Sequence, residues 1–419
     1  MKKYLFILLN TVILLFSLEV IFKVQDFFDV KYFDKKKQII SFYSTYKTHP
    51  VIGYTARKNT AGYEIHYTTN DYFKTTTNSD GFRTHEFYPK HKDNFRVLIL
   101  GDSFMYGMNA NDNETTARKL EFLYQKNISK KIEVLSIAYY GYSGLNYAGI
   151  ARTYFDYLSP DLIIICVDQS DLNDDEGSGA AYDYERDENG YPYFVKFKDK
   201  KNKDFIIKSN KDVIFSKNKN KDLLNKLKLE SSLFVRINSL RHKYKRYKLD
   251  NNFERIKKQN NKTIIYDELS ALEKNDLTEI VKSPDILRYD LERSKIEYKV
   301  TLNALEYVVK KADNINAKVY LSTYPYSWFI NKNFSQYYQI KNFGNLLDFR
   351  TNNVYPDLIN HYAELLKIQN LDSYPFFRNT NKKFWGDFDP HFNADGYSHY
   401  ADFLFGETKD FIKKKIKNN

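Results

Sequence analysis

Two stretches at opposite ends of the chain carry residues that nucleophilic catalysis needs. The first is Val97-Leu98-Ile99-Leu100-Gly101-Asp102-Ser103, four apolar residues that run into Gly-Asp-Ser. Two readings fit: a strand-to-helix turn in which Ser103 caps the helix, or a nucleophile displayed at a strand tip. A nucleophilic serine needs a base within hydrogen-bond reach. Among the eight histidines, His391 lies in a polar loop just before a helix, in Gly386-Asp387-Phe388-Asp389-Pro390-His391. A carboxylate beside it, Asp389 or Asp387, would hold the imidazole's tautomer and stabilise the imidazolium.

Parallel strands joined by helices would bring these residues together. Arg96 to Leu100 reads as a strand, followed by a helix from near Asn113 to about Gln125. Ile132 to Ile137 and Leu162 to Val167 read as further strands, with a helix from Leu145 to Tyr157 between them. Ile296, Val300, Ala304, Leu305 and Val308 mark one face of a later helix, which leads into a strand at Lys318 to Ser322. This alternation predicts an α/β fold, a three-layer α/β/α sandwich around a central parallel sheet. Ligands of such sheets bind at the carboxyl ends of the strands, where Ser103 falls. Gly141 follows the second strand, and a glycine there lets its N–H approach an oxyanion closely. After the third strand comes Asp168-Gln169-Ser170-Asp171-Leu172-Asn173-Asp174-Asp175. That cluster would supply a side-chain donor, or cap a helix, or hold a cation through Asp171, Asp174 and Asp175.

In this order the motifs resemble the SGNH (GDSL-type) hydrolases. The resemblance covers roughly Phe95 to Phe405. The phrase Asn78-Ser79-Asp80-Gly81-Phe82-Arg83 ahead of it is similar to membrane-anchored bacterial members. It implies Ser103 as nucleophile, His391 as base and Asp389 as the acid. It also implies an oxyanion hole from the N–H groups of Ser103 and Gly141. The family's third donor is usually an asparagine, but Ser170 stands at that place, so Ser170 or Asn173 would complete the hole. The commoner Asp-x-x-His spacing is absent, because Phe388 stands three residues before His391.

The chain of 419 residues, 42% hydrophobic and 17% aromatic, can build a substantial core, which excludes wholesale disorder. Its net charge of +12 favours anionic surroundings. The basic stretch Arg241 to Lys258 matches no nucleic-acid motif, so no nucleic-acid partner is expected. The single cysteine, Cys166, lies in an apolar run and reads as core. No Cys/His cluster or phosphate-cradling glycine loop points to a cofactor or metal.

Met1-Lys2-Lys3 precedes an apolar run from Tyr4 to Phe22. About 20 such residues span a bilayer, and no Ala-x-Ala-like cleavage site follows. The expectation is an uncleaved transmembrane signal anchor over residues 1–25, with the rest outside the cytoplasmic membrane. A stem with short strands (26–94) and the catalytic domain (95–415) follow, the latter interrupted by an insertion at 176–287. That insertion carries a hairpin at Glu188-Asn189-Gly190-Tyr191 and would lie over the carboxyl end of the sheet.

The expected function is a serine esterase or O-acyltransferase acting on O-acyl, chiefly acetyl, groups of a cell-envelope glycan. A multi-pass membrane protein would be the acyl donor's partner in the transfer case. The alternative is a catalytically degenerate glycan-binding or scaffold protein of an envelope assembly.

Overall fold

The computed structural model describes residues 2–28, 46–65, 71–176, 182–197, 298–330, 353–380, 382–386 and 390–418, with isolated positions at 244, 264–265, 295 and 347–348. Most of the insertion, together with Asp387, Phe388 and Asp389, lies outside these residues.

Lys2–Phe28 forms one helix, α1, whose Tyr4, Phe6, Leu9, Leu14 and Phe16 are exposed. Among the described residues, no helix is long and apolar enough to cross a membrane. Two antiparallel hairpins follow in the stem: β1 (Tyr46–His49) with β2 (Gly53–Ala56), and β3 (Ala61–Ile65) with β4 (Tyr72–Thr76).

The core begins at β5 (Phe95–Gly101), which ends in the one-turn helix α2 (Ser103–Tyr106). Then come α3 (Thr116–Asn127), β6 (Ile132–Ala138), α4 (Gly144–Leu158), β7 (Leu162–Val167) and α5 (Gln169–Glu176). A hairpin of β8 (Tyr182–Arg186) and β9 (Pro192–Phe197) opens the insertion. The core resumes with α6 (Lys299–Asn314), β10 (Lys318–Thr323), α7 (Val354–Leu366), β11 (Gln369–Asp372), α8 (Tyr374–Arg378) and α9 (Ala394–Asn418).

The five core strands pair in the order β11-β10-β7-β5-β6, all parallel. Numbered along the chain this is 2-1-3-4-5, a doubly wound order whose switch point falls between β5 and β7. Helices α3 and α9 pack together, and α4 packs on α6. Every residue of β5 and β7 is buried, as continuous apolar runs covered on both faces require. Cys166 is wholly buried in β7, and burial pushes its thiol up to about 12.

The structure shifts several expected boundaries. The first long helix starts at Thr116 rather than near Asn113, because Asn111 and Glu114 form a capping box around a 3₁₀ turn at Asp112–Glu114. Strand β11, Gln-Asn-Leu-Asp, carries no apolar run and was not expected from sequence. The expected hairpin is present, with Gly190 at φ +83° between β8 and β9. It packs on the outer faces of α4 and α6: Arg152 donates to Asp187 at 3.1 Å and lies over the Tyr307 ring.

Candidate active site

Ser103 sits where β5 stops, at the switch point of the sheet. Gly101 is required there, since a Cβ would meet Met105 Cγ at 2.3 Å. Asp102 caps α2 by accepting the Phe104 N–H at 2.9 Å. The helix cap is therefore Asp102 and not Ser103, and the Ser103 hydroxyl has two polar neighbours, the first being Asp102 Oδ2 at 3.1 Å. Ser103 Oγ lies 2.7 Å from His391 Nε2 across a sequence separation of 288 residues.

The loop that carries His391 is fastened from several sides. Trp385 and Phe392 form an antiparallel bridge, and Gly386 N–H donates to the His391 carbonyl at 3.2 Å. Trp385 Nε1–H donates to the Pro325 carbonyl just beyond β10. Asn393 caps α9, accepting the Gly396 N–H at 2.9 Å. The imidazole rests on the Phe104 ring, 4.7 Å between centroids. Ser103 and His391 are thus held by separate elements, and the imidazole shares an aromatic bed with the helix that Ser103 begins.

Asp389, the expected acid, and Asp387 lie outside the described residues. Gly141 stands beyond the end of β6, which is in register with β5 through Gly101 and Ala138. It takes φ +64°, a left-handed conformation that favours glycine. Ser170, by contrast, donates its hydroxyl to Asp168 Oδ1 at 2.7 Å. Its donation to an oxyanion would require breaking that bond. Asn173 lies on α5. The polar stretch after β7 is thus a helix capped by Asp168, which accepts the N–H groups of Ser170 and Asp171.

Around Asp102, the residue before Ser103, lies a group that sequence reading did not assemble. Asp102, Asp168 and Asp171 are all buried and each offers one oxygen, these lying within 4.8 Å of one another. Tyrosine hydroxyls donate to all three: Tyr324 to Asp102 at 2.7 Å, Tyr326 to Asp168 at 2.9 Å and Tyr147 to Asp171 at 2.9 Å. Asp171 Oδ1 has no hydrogen-bond partner. A cation set of Asp171, Asp174 and Asp175 does not form. Asp175 instead accepts from Ser143, Leu145 N–H and Thr301 at the start of α4 and on α6. Tyr324 and Tyr326 follow the expected strand at Lys318 to Ser322, so the rule that ligands meet strand carboxyl ends would have found them.

Burial, then the neighbouring Asp168 charge, raises Asp102 to about 8 and carries Asp171 well above the usual carboxyl range. Burial likewise raises Asp175 to about 6. The folded protein therefore keeps protons that the unfolded chain releases above about pH 4. Such groups weaken the fold as pH rises from there towards 8, each with a slope of up to about 1.4 kcal/mol per pH unit. Urea unfolding at pH 5.5, 7 and 8 should show falling stability. Asp171→Asn should flatten that slope and stabilise the protein most at pH 8. An unchanged slope in the variant would remove Asp171 from the account.

A seryl hydroxyl on an imidazole, at the switch point of a doubly wound sheet, has the form of an α/β serine hydrolase site. No family model matches the chain, and no curated protein matches it. Among solved structures, the chain is similar to a psychrotrophic esterase from Pseudoalteromonas sp., at 10% identity and a TM-score of 0.34, covering 76% of this chain and 98% of that one. It is similar to a putative lipolytic protein of the G-D-S-L family from Desulfitobacterium hafniense, at 12% identity and TM-score 0.33, covering 74% and 98%. An acetyl xylan esterase matches at 12% identity and TM-score 0.34, covering 75% and 99%.

Proposed function

We propose that this protein is a serine esterase or O-acyltransferase that forms an acyl-enzyme on Ser103. The observation that carries the reading is the 2.7 Å approach of Ser103 Oγ to His391 Nε2. His391 takes the hydroxyl proton as Oγ bonds to the acyl carbon, and the carbonyl oxygen becomes an oxyanion. Backbone N–H groups of Ser103, at the start of α2, and of Gly141 receive that charge. Collapse breaks the ester bond, and the leaving alcohol takes the proton from His391. Water or a second hydroxyl then attacks the acyl-enzyme as His391 takes its proton, and collapse breaks the bond from the acyl carbon to Ser103 Oγ, which recovers the proton from His391. Asp389 is the residue proposed to orient His391.

The proposed substrate is an O-acylated, chiefly O-acetylated, glycan of the cell envelope. The net charge of +12 suits an anionic envelope surface. The exposed apolar side chains of α1 are proposed to attach the protein to the cytoplasmic membrane, with the catalytic domain on its outer face. Transfer would draw on an acyl donor supplied by a membrane partner.

Hydrolysis and transfer share every residue named above, so a partition experiment separates them. A p-nitrophenyl acetate assay with and without an oligosaccharide acceptor measures both products. Hydrolysis predicts acetate alone, whereas transfer predicts acetylated oligosaccharide at the expense of acetate. Ester cleavage that persists unchanged in Ser103→Ala would contradict both.

A further inference from the structure

The segment ahead of β5 reads in sequence as a stem, yet its hairpins reach into the catalytic edge of the sheet. Tyr54, on β2, places its one hydroxyl proton between two carbonyls, that of Tyr140 at 2.6 Å and, more distantly, that of Gly141 at 3.0 Å. Glu64, on β3, accepts the hydroxyls of Tyr140 and Tyr106, each at 2.8 Å. Tyr140 is therefore gripped at both ends, its carbonyl by Tyr54 and its phenol by Glu64. The same Glu64 holds Tyr106, the last residue of the helix that begins with Ser103. Two further bonds fasten the hairpin in return. Tyr142 OH donates to the Tyr54 carbonyl, and Asn146 Nδ2 donates to the Ile52 carbonyl at 2.7 Å.

The consequence follows from peptide geometry. The Tyr140 carbonyl and the Gly141 N–H belong to one planar peptide unit, and none of the described peptide bonds is cis. In a trans unit the C=O and N–H point in opposite directions. A hydroxyl that fixes the carbonyl therefore also fixes the direction in which the Gly141 N–H points. Gly141 needs such a restraint because φ +64° is only one of the conformations open to a glycine. An oxyanion donor works through being aimed before the charge develops.

We propose that Tyr54 is a positioning residue of the acyl-transfer site, aiming the Gly141 N–H at the oxyanion through the Tyr140–Gly141 peptide. Glu64 supports it by holding Tyr140 and Tyr106 at a common distance from the hairpin. The stem is thus a working part of the active site rather than a spacer. This inference rests on the reading of Gly141 as an oxyanion donor.

The test is Tyr54→Phe in the full chain. The variant keeps the ring, which packs edge-on against Tyr139 and Tyr142 at 5.9 and 5.3 Å, and removes only the hydroxyl. Losing a whole oxyanion donor costs about 10²–10³ in rate, so misaiming one should lower kcat by roughly tenfold to a hundredfold. KM should stay within about twofold, since the group acts on the transition state and not on ground-state binding. Thr55→Val is the control. It removes a neighbouring buried hydroxyl that donates to the Ala56 carbonyl, and it should leave kcat unchanged.

A Tyr54→Phe enzyme with wild-type kcat, or with a raised KM alone, overturns the proposal while leaving the esterase reading intact. A wild-type protein no faster than Ser103→Ala defeats the esterase reading itself. Hydrogen exchange of the amides at 139–144 then decides the clamp separately. Faster exchange in Tyr54→Phe than in wild type supports it, and equal exchange overturns it.

Discussion

Ser103→Ala should lower ester turnover by about 10⁴- to 10⁶-fold, and His391→Ala should do nearly the same. The hydroxyl and the imidazole are 2.7 Å apart, and in the proposed mechanism they act in one proton transfer. Removing either leaves the other without a task. The double variant should therefore be no slower than the worse single one, since residues that act as a unit are not additive. Both variants should fold, because Ser103 contributes little buried area and the His391 loop is held by Trp385, Phe392 and Asn393. The check is steady-state kinetics on an activated acetate ester beside thermal melting. Equal activity in wild type and variants would assign the turnover to a contaminant or another site.

The largest expected effect on stability comes from the stem. Arg83 is buried, and every nitrogen of its guanidinium donates a hydrogen bond. Nε reaches Asp112 at 2.8 Å, Nη1 the Gly107 carbonyl at 2.8 Å, and Nη2 the Lys74 and Ala110 carbonyls at 2.7 Å each. These acceptors lie on β4, at the end of α2 and in the turn that precedes α3. One side chain therefore ties the second stem hairpin to the segment after the nucleophile. Burial opposes the charge, but Tyr106, Asp112 and Glu64 outweigh it and hold the guanidinium's pKa above its usual value. Arg83→Met keeps most of the volume and leaves three carbonyls without their donor, while Asp112 loses its ion pair but keeps the Thr76 N–H and hydroxyl. A buried acceptor left unsatisfied costs about 1–3 kcal/mol, so three carbonyls together with the lost pair should cost about 3–5 kcal/mol. Urea unfolding should show a loss of that size. A loss below about 1 kcal/mol would mean that the clamp contributes little. Arg83→Lys should recover only part, because an ammonium cannot reproduce the planar fork.

The core was legible in sequence because its signals are local. Leu162 to Val167 reads as a strand on composition alone, and the observed bounds are the expected ones. Val300, Ala304, Leu305 and Val308 lie buried on one face of α6, as their spacing implied. Strand β11 was invisible for the opposite reason: it is an edge strand of Gln-Asn-Leu-Asp, and pairing with β10 makes it a strand. The pairing of Ser103 with His391 was readable because a strand-tip serine and a loop histidine beside carboxylates each leave a local mark. The aspartate group was not, since it needs three side chains from two strand ends to converge. Arg83 drew notice only as the end of the Asn78 to Arg83 phrase, and Tyr54 and Glu64 carried no chemical signature at all. Tyr54 meets its acceptor 86 residues away, and nothing in a Gly-Tyr-Thr-Ala strand announces that contact.

The most direct measurement of the central claim is covalent. The full chain would be treated with a fluorophosphonate probe beside Ser103→Ala and His391→Ala, and the modified peptide mapped by mass spectrometry. An activated serine predicts one adduct, on Ser103, with labelling absent from the alanine variant and strongly slowed without His391. A folded wild-type protein that takes no label, or takes it elsewhere, would contradict the account and leave a fold that holds a serine and a histidine together without using them.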